Sequence, residues 1–539
     1  MPKITVDGQT IEAKDKQTIL QACLDNGIDV PHYCYHPGLS IVASCRICLA
    51  EVEGVPKLLP TCQTPVRDGM VVHVNSTKSV ANQKQVMEYL LINHPLDCPV
   101  CDKAGECLLQ DYSYDYGRSV SRFEEDKVKQ PKKDIGEHVM LYGDRCIMCT
   151  RCVRFTREVT GTNELFVSGR GHREEIDVFP GRGIDNKLSL NVIDICPVGA
   201  LLDKSFLFKQ RVWLLKQVPS ISPVDAGGEN TWLEHNDGVV YRIKPRYNSD
   251  VNQWWISNDT RHAYKALHSE NRLKRAGKPE QHAGRDGPLA PARFNDAVEF
   301  ADIELRRIHK EAGDASLYAM LSPMMPSEEA WLLATYVRSI DPQATLILGP
   351  VPVEGENETF FNSETKEQTF EIQAEKVPNR RGVERVMEML GGPRADFTDV
   401  MNNDARLANL KGGWVVGGYL HDWLPTPTPQ FLLNGFRVLQ DVLPTALTEQ
   451  VNVLLPSAMW AEKDGTFENH AGRLQAFMQA VTPPGEARVD GEVLHGLLRK
   501  KGRYSAQAVR EEMGGVFAEV QTPKRPEEVN EPAFEFQEL

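Results

Sequence analysis

The chain has 539 residues, of which 41% are hydrophobic and 25% are charged, and its mean hydropathy is −0.38. A chain of this length and composition folds into several globular domains. Asp and Glu outnumber Lys and Arg by 75 to 61, which gives a formal net charge of −14 and argues against a nucleic-acid-binding protein. No stretch is apolar for long enough to predict a membrane-spanning helix. The N-terminus enters a strand pattern directly, without a secretory signal, so we expect a reducing compartment.

The N-terminal residues predict a small ferredoxin-type domain. An apolar–polar alternation from Ile4 up to an Asp-Gly turn predicts a β-hairpin. Thr18, with Gln21 three residues later, forms a capping-box pattern at the start of a helix. Cys23 lies inside this helix without a spaced partner, so we expect it to be a buried structural thiol.

The 12 cysteines are confined to the first part of the chain, and none follows Cys196. The first metal-binding pattern is a loop that carries Cys34, Cys45, Cys48 and Cys62. Four thiolates on one loop suit a [2Fe–2S] cluster, because each iron takes two soft anionic ligands. A four-cysteine zinc site is the alternative at this spacing.

A second pattern follows an apolar helical stretch and consists of His94, Cys98, Cys101 and Cys107. Three cysteines and one histidine at this density fit a [4Fe–4S] cluster or a zinc ion. A neutral imidazole in place of a thiolate leaves a cluster less negative, which favours its reduced form. A lone histidine is more often a helix-terminal group, but the lack of a fourth nearby cysteine favours ligation by His94.

The third pattern is the sharpest, with Cys146, Cys149 and Cys152 followed by a remote Cys196-Pro. A C-x2-C-x2-C run wraps one face of a [4Fe–4S] cubane, and a remote Cys-Pro supplies the last ligand in bacterial-type ferredoxins. In two-cluster ferredoxins the distant cysteine ligates the other cluster, so spacing also allows Cys196 to join the Cys98 group.

Three arginines flank the third pattern, at Arg145, Arg151 and Arg154. Arginines at such positions are commonly solvated helix charges. The functional interpretation is partial neutralisation of a strongly anionic site.

Together these motifs resemble the large iron–sulfur subunit family of respiratory NADH:quinone oxidoreductase (complex I), called the G subunit in bacteria and the 75 kDa subunit in mitochondria. The resemblance rests on stretches that cover most of residues 1–205: Tyr33–Ser40, Ser44–Cys48, Asn93–Cys101, Gly105–Cys107, Arg145–Phe155 and Cys196–Ala200. It implies three cofactors: one [2Fe–2S] cluster on Cys34, Cys45, Cys48 and Cys62, one [4Fe–4S] cluster on His94, Cys98, Cys101 and Cys107, and a second [4Fe–4S] cluster on Cys146, Cys149, Cys152 and Cys196.

The resemblance also implies an electron-relay function. A flavin subunit would oxidise NADH and pass single electrons to the [2Fe–2S] cluster, from there to the Cys146 cluster and then to the His94 cluster. Quinone-side iron–sulfur subunits would receive them. No residue of this chain would then be catalytic by itself, and the chain would be peripheral, on the cytoplasmic side of the inner (plasma) membrane.

Some members of this family carry a fourth cluster on a C-x2-C-x3-C-x27-C pattern. The chain keeps this spacing, but the four positions read Ser222, Asp225, Glu229 and Ser257. Oxygen ligands do not ordinarily hold an iron–sulfur cluster, so we expect an empty site kept together by packing and hydrogen bonds. A hard cation at Asp225 and Glu229 is a minor alternative.

From about Asn271 onward the chain is patterned as alternating strands and helices, with apolar strands at 344–349 and 413–417. Residues 461–488 resemble a motif of the molybdopterin oxidoreductase superfamily. The segment offers no cysteine as a metal ligand, and the domain is short for one that encloses two pterin dinucleotides. We therefore expect a degenerate, non-catalytic domain with no molybdenum cofactor, whose glycine pairs at 412–413 and 417–418 serve turns and packing.

We therefore predict an α+β N-terminal part, with ferredoxin-like (β-grasp) and [4Fe–4S] domains, followed by an α/β molybdopterin-oxidoreductase-like domain. Residues 278–291 resemble a linker and 353–376 an inserted loop. The predicted boundaries are 1–78 for the [2Fe–2S] domain, 79–118 for the His/Cys-ligated segment, 119–215 for the [4Fe–4S] ferredoxin-like domain, 216–271 for the fourth-cluster domain without cysteines, and 272–539 for the last domain with its extended C-terminal tail.

Two rival functions remain open. A relay subunit of a soluble NAD-linked hydrogenase or formate dehydrogenase shares the N-terminal cluster set, although the catalytic chains of those enzymes would need further cysteine or selenocysteine downstream. A scaffold held together by zinc is the alternative from another class.

Overall fold

The computed structural model describes residues 1–280, 282 and 284–526. These residues form two compact units. The first comprises Met1–Leu215 together with Thr359–Phe370, and the second comprises Lys216–Glu358 and the chain from Glu371 onward. Within the described residues, no helix has the length and apolar character that a membrane crossing requires.

The first unit is built mainly from short strands and helices connected by long loops. Its elements up to Leu215 are β1 (Lys3–Val6), β2 (Gln9–Glu12), α1 (Ile19–Asp25), β3 (Leu49–Val52), β4 (Leu59–Pro60), β5 (Val71–His73), α2 (Thr77–Leu91), α3 (Leu108–Tyr116), β6 (Lys132–Asp134), β7 (Val139–Tyr142), α4 (Arg151–Glu158), β8 (Leu165–Ser168), β9 (Glu175–Val178), α5 (Asn191–Ile195) and β10 (Leu201–Asp203).

The N-terminal sheet has the strand order β2-β1-β5-β3-β4, with β1 antiparallel to β2 and parallel to β5. The predicted hairpin is confirmed, because Val6 pairs with Gln9 across the turn. The predicted capping box is also present, and Thr18 starts α1. Cys23 belongs to this helix and is fully buried, as expected for a structural thiol. This β-grasp arrangement leaves the long α1–β3 connection free to carry three of the cysteines.

Pairing of two distant strands explains how a remote cysteine reaches the C-x2-C-x2-C loop. Strand β10 lies antiparallel to β7, and the Tyr142 amide donates to the Ala200 carbonyl at 2.7 Å. The segment Cys196–Ala200 therefore runs beside the turn that leads into Cys146. Helix α4 begins at Arg151, so Cys152 lies in its first turn, and α5 ends immediately before Cys196.

The chain after Leu215 is dominated by α/β structure. Its elements are β11 (Lys216–Ile221), β12 (Asn230–Asn236), β13 (Val239–Pro245), α6 (Asn258–His262), α7 (Tyr264–Leu267), β14 (Ala276–Pro279), β15 (Leu289–Ala292), α8 (Phe294–Ala312), β16 (Leu317–Leu321), α9 (Ser327–Ile340), β17 (Thr345–Leu348), β18 (Glu358–Phe361), β19 (Gln368–Ile372), α10 (Arg380–Leu390), β20 (Arg394–Ala395), α11 (Phe397–Met401), β21 (Gly412–Val416), β22 (Phe436–Asp441), β23 (Val453–Pro456), β24 (Gly465–Glu468), β25 (Leu474–Phe477), α12 (Asp490–Leu497), α13 (Ala506–Met513) and α14 (Gly515–Ala518).

The centre of the second unit is an eight-stranded sheet with the order β15-β14-β23-β22-β21-β16-β17-β20. Its inner strands β23, β22, β21, β16 and β17 are parallel. The strands predicted at 344–349 and 413–417 appear as β17 and β21. Trp414 and Leu346 are fully buried, because strands of a parallel sheet are covered by helices on both faces.

Two local interpretations of the sequence are wrong. Residues 278–291 are not simply a linker, because their ends belong to a hairpin in which Pro279 pairs with Leu289. This hairpin lies at the sheet edge, where proline is tolerated, so its Pro and Gly content resembles that of a linker. Residues 353–376 contain the hairpin β18–β19 instead of an irregular loop. The predicted extended C-terminal tail lies outside the described residues where it includes residues 527–539.

Candidate metal centres

The first candidate centre gathers Cys34, Cys45, Cys48 and Cys62. The Cys34 thiol lies within hydrogen-bonding reach of the Cys45 and Cys62 thiols, and the Cys62 thiol also reaches that of Cys48. Cys34, Cys48 and Cys62 are at most 2% exposed. The loop closes tightly because Arg46, inside the C-x2-C segment, adopts a positive φ of 60°. The four thiols thus form a series of pairwise contacts, from Cys45 to Cys34, Cys62 and Cys48.

The thiols of the first centre influence one another's ionisation through hydrogen bonds. Hydrogen bonds from Cys45 and Cys62 hold the pKa of Cys34 far below its usual value. A hydrogen bond from Cys62 lowers the pKa of Cys48 to about 7. A thiolate is the form that ligates metal, so this donor set is suited to exchange its protons for soft metal cations. The chemistry of the four sulfurs fits a [2Fe–2S] cluster.

The second candidate centre involves His94, Cys98, Cys101 and Cys107. His94, Cys98 and Cys107 line a cavity of about 510 Å³ between the end of α2 and the start of α3. Burial lowers the pKa of His94 to about 4, with the cations Arg145 and Lys127 adding to the effect. The imidazole is therefore neutral at neutral pH, which is the form that binds metal.

Cys101 does not line this cavity, but its thiol lies close enough to the Cys98 and Cys107 thiols for their charges to interact. A Cβ atom placed on Gly199 would come within 2.3 Å of the Cys101 sulfur. Gly199 therefore allows the thiol to approach the backbone more closely than any other residue would permit. This role of Gly199 was not anticipated from sequence, although a glycine three residues after Cys196 was visible in the motif.

The third candidate centre is formed by Cys146, Cys149, Cys152 and Cys196, and all four line one cavity. Met148 and Thr150 have positive φ values of 52° and 58°, so the C-x2-C-x2-C loop turns twice around this cavity. Burial raises the pKa of Cys149 to about 11 and that of Cys146 to about 12. Thiols this far from water ionise only beside positive charge, which bound iron would supply.

The three flanking arginines are buried and not solvated. Arg145, Arg151 and Arg154 are 3%, 6% and 3% exposed. Arg145 forms an ion pair with Asp97 at 2.7 Å. Their burial beside cysteine loops favours the interpretation that they neutralise anionic sites.

Hydrogen bonds connect the third set to both of the other sets. The Arg154 guanidinium donates to the Cys34 carbonyl at 2.5 Å and to the Cys149 carbonyl at 3.3 Å. On the other side, the Leu108 amide, next to Cys107, donates to the Pro197 carbonyl at 3.0 Å. The Cys146 set therefore contacts residues of both the first and the second sets.

The four positions aligned with a fourth cluster also come together, but their contacts are hydrogen bonds. The Ser222 and Ser257 hydroxyls lie 2.6 and 3.0 Å from the Thr260 hydroxyl. The Ser257 amide donates to the Glu229 carboxylate at 3.1 Å. Thr260 was not anticipated from sequence, since it lies outside the aligned positions.

Two buried carboxyl groups lie in this network without an ion-pair partner among the described residues. Burial raises the pKa of Asp225 to about 6, and burial together with the Asp225 charge raises the pKa of Glu229 to about 8. Asp225 Oδ1 accepts a hydrogen bond from the Gly227 amide at 2.8 Å, whereas Oδ2 has no hydrogen-bond partner in the described part of the chain. Glu229 is therefore largely protonated at neutral pH.

Family models match five segments of the chain in order. They are "2Fe-2S iron-sulfur cluster binding domain" at residues 2–77, "NADH-ubiquinone oxidoreductase-G iron-sulfur binding region" at 83–122, "NADH-quinone oxidoreductase subunit 3, ferredoxin-like domain" at 136–202, "NADH-ubiquinone oxidoreductase NDSU1/NuoG-like, 4Fe-4S domain" at 215–265, and "Molybdopterin oxidoreductase" at 433–500.

The G subunit of the NADH-quinone oxidoreductase of Rickettsia bellii is 37% identical over 340 residues, which are 63% of this chain and 48% of the relative. The chain is a homologue of this G subunit. The mitochondrial NADH dehydrogenase [ubiquinone] iron-sulfur protein 1 of Solanum tuberosum is 42% identical, over 57% of this chain and 41% of the relative. The NADH-ubiquinone oxidoreductase 75 kDa subunit of Reclinomonas americana is 45% identical, over 50% of this chain and 39% of the relative.

This G-subunit homologue spans about half the length of those relatives. Its domain order is the predicted one: a [2Fe–2S] ferredoxin-like domain, [4Fe–4S] domains and a molybdopterin-oxidoreductase-like domain. Among solved structures, a chain of the NAD+-reducing [NiFe]-hydrogenase in the H2-reduced state is 30% identical, with a TM-score of 0.36. That match covers 39% of this chain and 91% of the hydrogenase chain.

Replacing Gly199 by alanine should remove the second cluster without altering any ligand. The added methyl group would overlap the Cys101 sulfur and push it out of the set. We expect the variant to lose about four iron atoms per chain, measured by iron analysis, because that is the content of a [4Fe–4S] cluster.

Gly496→Ala is the matched control, because a Cβ atom at Gly496 meets no atom within 4 Å. Its iron content should equal that of the parent protein. Full iron content in G199A would show that Cys101 does not hold a cluster in the position seen here.

Replacing Glu229 by glutamine should stabilise the protein increasingly as pH rises. Between about pH 4.5 and about pH 8, the folded chain keeps a proton on Glu229 that the unfolded chain releases, because folding raises the pKa of this group. The free energy of unfolding of the parent protein therefore falls as pH rises through this range. An amide lacks this titration but mimics the protonated carboxyl group. We expect a gain of roughly 1–3 kcal/mol at about pH 8, and little at about pH 5, in the thermal unfolding of the full chain.

Glu270→Gln changes an exposed glutamate of the same unit and serves as the control. Its melting temperature should follow that of the parent protein at both pH values. A gain in E229Q that is the same at both pH values would contradict a protonated Glu229.

Proposed function

We propose that this chain is the electron-relay subunit of a respiratory NADH:quinone oxidoreductase. Its first unit would hold one [2Fe–2S] cluster on the Cys34 set and two [4Fe–4S] clusters on the His94 and Cys146 sets. When bound, these clusters supply one-electron chemistry between a flavin-bearing, NADH-oxidising subunit and quinone-side iron–sulfur subunits. The chain would act as a part of that enzyme and carry out no substrate chemistry of its own.

The single observation that carries this proposal is the arrangement of the three donor sets. All three sets belong to one compact unit. Arg154 connects the Cys146 set to the Cys34 loop, and the Pro197 carbonyl connects it to the start of α3 beside Cys107. Donor sets that contact one another suit stepwise electron transfer. Isolated zinc sites that only stabilise folding would need no such contact.

The residues around the donor sets keep water from most ligands and balance charge, although Cys98 of the second set is exposed. Cys34, Cys62 and Cys196 are at most 7% exposed, so solvent is kept away from most ligands. The buried arginines lower the free energy of adding negative charge nearby. Ligand identity, nearby charge and exposure are the factors by which a protein sets cluster potentials.

The second unit supports the further proposal that no molybdenum cofactor is bound. Ligands of such sheets bind at the carboxyl ends of the strands. At the ends of β21 and β23, the residues leave a cavity of about 10 Å³, which is the size of one water molecule. The Lys463 ammonium group lies there between Glu329 and Asp490, at 2.7 and 3.3 Å. Protein side chains thus fill the carboxyl end of this sheet, where a cofactor would be expected to bind.

We also propose that the fourth site is without a cluster. Hydroxyl and carboxyl groups at Ser222, Asp225, Glu229 and Ser257 are hard donors that do not suit iron–sulfur clusters. We place the chain at the periphery of the inner (plasma) membrane, on its cytoplasmic side, as one subunit of a membrane complex.

The proposal is tested by iron and zinc analysis of the purified full chain. We expect about ten iron atoms per chain, because one [2Fe–2S] and two [4Fe–4S] clusters contain two, four and four. EPR spectra after dithionite reduction should show one binuclear and two tetranuclear signals. A colourless protein with stoichiometric zinc would overturn the relay function, and about 14 iron atoms would overturn the empty fourth site.

Replacing His94 by cysteine should retain the second [4Fe–4S] cluster and lower its reduction potential. A thiolate adds a negative charge that the imidazole lacks, so reduction becomes less favourable. An EPR-monitored redox titration measures the change, with the Cys146 centre as the internal reference. An unchanged potential would show that His94 is not a ligand.

A further inference from the structure

Two arginines and one glutamate of helix α4 form hydrogen bonds with the loop that begins at Cys34. Arg151, Arg154 and Glu158 lie at spacings of three and four residues, so they share one face of the helix. The Arg151 guanidinium donates to the Tyr35 carbonyl at 2.5 Å. The Glu158 carboxylate accepts hydrogen bonds from the Ser40 amide at 2.8 Å and the Ser40 hydroxyl at 2.7 Å.

Arg154 contacts ligands of two different candidate centres. One of its terminal nitrogens, Nη2, donates to the carbonyl of Cys34 at 2.5 Å and to the carbonyl of Cys149 at 3.3 Å. The other, Nη1, donates to the carbonyl of Ser40 at 2.5 Å. A single positive charge is therefore held against the backbone of a [2Fe–2S] ligand and of a [4Fe–4S] ligand.

No carboxylate within the described residues lies at ion-pair distance from the Arg154 guanidinium, which is 3% exposed. Its hydrogen-bond acceptors are neutral carbonyl groups. A buried cation that is paired only with neutral acceptors is costly, unless an anion lies close by. The Glu158 carboxylate acts on Arg154 only through space and is itself paired with Arg157 at 3.0 Å. Two clusters that each carry four thiolates would supply further negative charge on both sides of the guanidinium.

We propose that Arg154 is a positioning residue shared by two centres, which raises the reduction potentials of both the Cys34 [2Fe–2S] cluster and the Cys146 [4Fe–4S] cluster. The proposal rests on the proposed function, since it presupposes those two clusters. Each reduction adds one electron and neither forms nor breaks a bond. The added negative charge is stabilised by the guanidinium, and hydrogen bonds and nearby charge are known to set such potentials.

The second [4Fe–4S] centre offers an internal reference. The arginine near this second centre, Arg145, forms an ion pair with Asp97. In the described part of the chain, Arg154 forms no hydrogen bond with any candidate ligand of the second centre. Its potential should therefore be insensitive to a change at Arg154. A shift confined to two of three centres would distinguish a local charge effect from a general loosening of the fold.

The test compares Arg154→Gln with Glu158→Gln in the full chain with its clusters. R154Q removes the shared positive charge, so both potentials should fall, by about tenfold in the equilibrium constant of reduction, or about 59 mV for one electron. E158Q removes the negative charge beside Arg154 while keeping an acceptor for Ser40, so both potentials should rise. EPR-monitored titrations with dithionite as reductant measure all three centres.

Two further variants control the comparison. Arg173→Gln removes the same charge from an exposed position, and all three potentials should stay at the parent values. Arg154→Lys keeps the charge but loses the forked geometry, so its potentials should lie between those of R154Q and the parent.

Unchanged potentials at the Cys34 and Cys146 centres in R154Q with full iron content, or equal shifts at all three centres, would overturn the inference. If R154Q does not retain its iron, the inference is tested with E158Q alone. Reduction potentials of the Cys34 and Cys146 centres that do not rise in E158Q would then overturn it. The proposed function fails separately, if the parent protein itself contains no iron–sulfur clusters.

Discussion

With the proposed clusters bound, the first unit would have to keep negative charge in a protein interior. Thiolate ligands must be shielded from water, yet a buried anion is stable only where cations or hydrogen-bond donors surround it. The chain meets this requirement with arginines buried beside the cysteine loops. Arg145, Arg151 and Arg154 each donate to a backbone carbonyl of those loops or their neighbours, so the same groups balance charge and hold the loops in place.

Loop conformation follows from the same requirement. Sulfur atoms converge only where the backbone turns sharply, and the cysteine loops contain non-glycine residues with positive φ, such as Arg46, Met148 and Thr150. This conformation is unfavourable for ordinary residues and persists when surrounding contacts stabilise it. Here the stabilising contacts are the β-grasp sheet below one loop and the β7–β10 pairing below the other.

In the second unit, an internal carboxylate packs against the glycine turn that follows β21. A Cβ atom at Gly417 would lie 2.2 Å from the Asp441 carboxylate, and the Gly418 amide donates to that carboxylate at 2.8 Å. The glycines therefore admit an internal carboxylate, as expected for packing glycines. Nearby, Glu328 pairs with Arg510 at 2.7 Å in the interior. Buried pairs of this kind specify one arrangement of the elements around the sheet.

Local spacing was sufficient for the parts of this protein whose chemistry lies in short motifs. The hairpin at Ile4, the capping box at Thr18 and the buried Cys23 depend on interactions over a few residues, and most members of each cysteine set are recognisable by their close spacing. Cys196 is the exception, because its place beside the Cys146 loop depends on the pairing of β7 with β10. Tertiary structure alone brought Gly199 against Cys101, placed Thr260 among the fourth-site groups and buried Arg154 between two centres. Those contacts join residues separated by tens to more than a hundred positions, and no local pattern encodes which strands pair to create them.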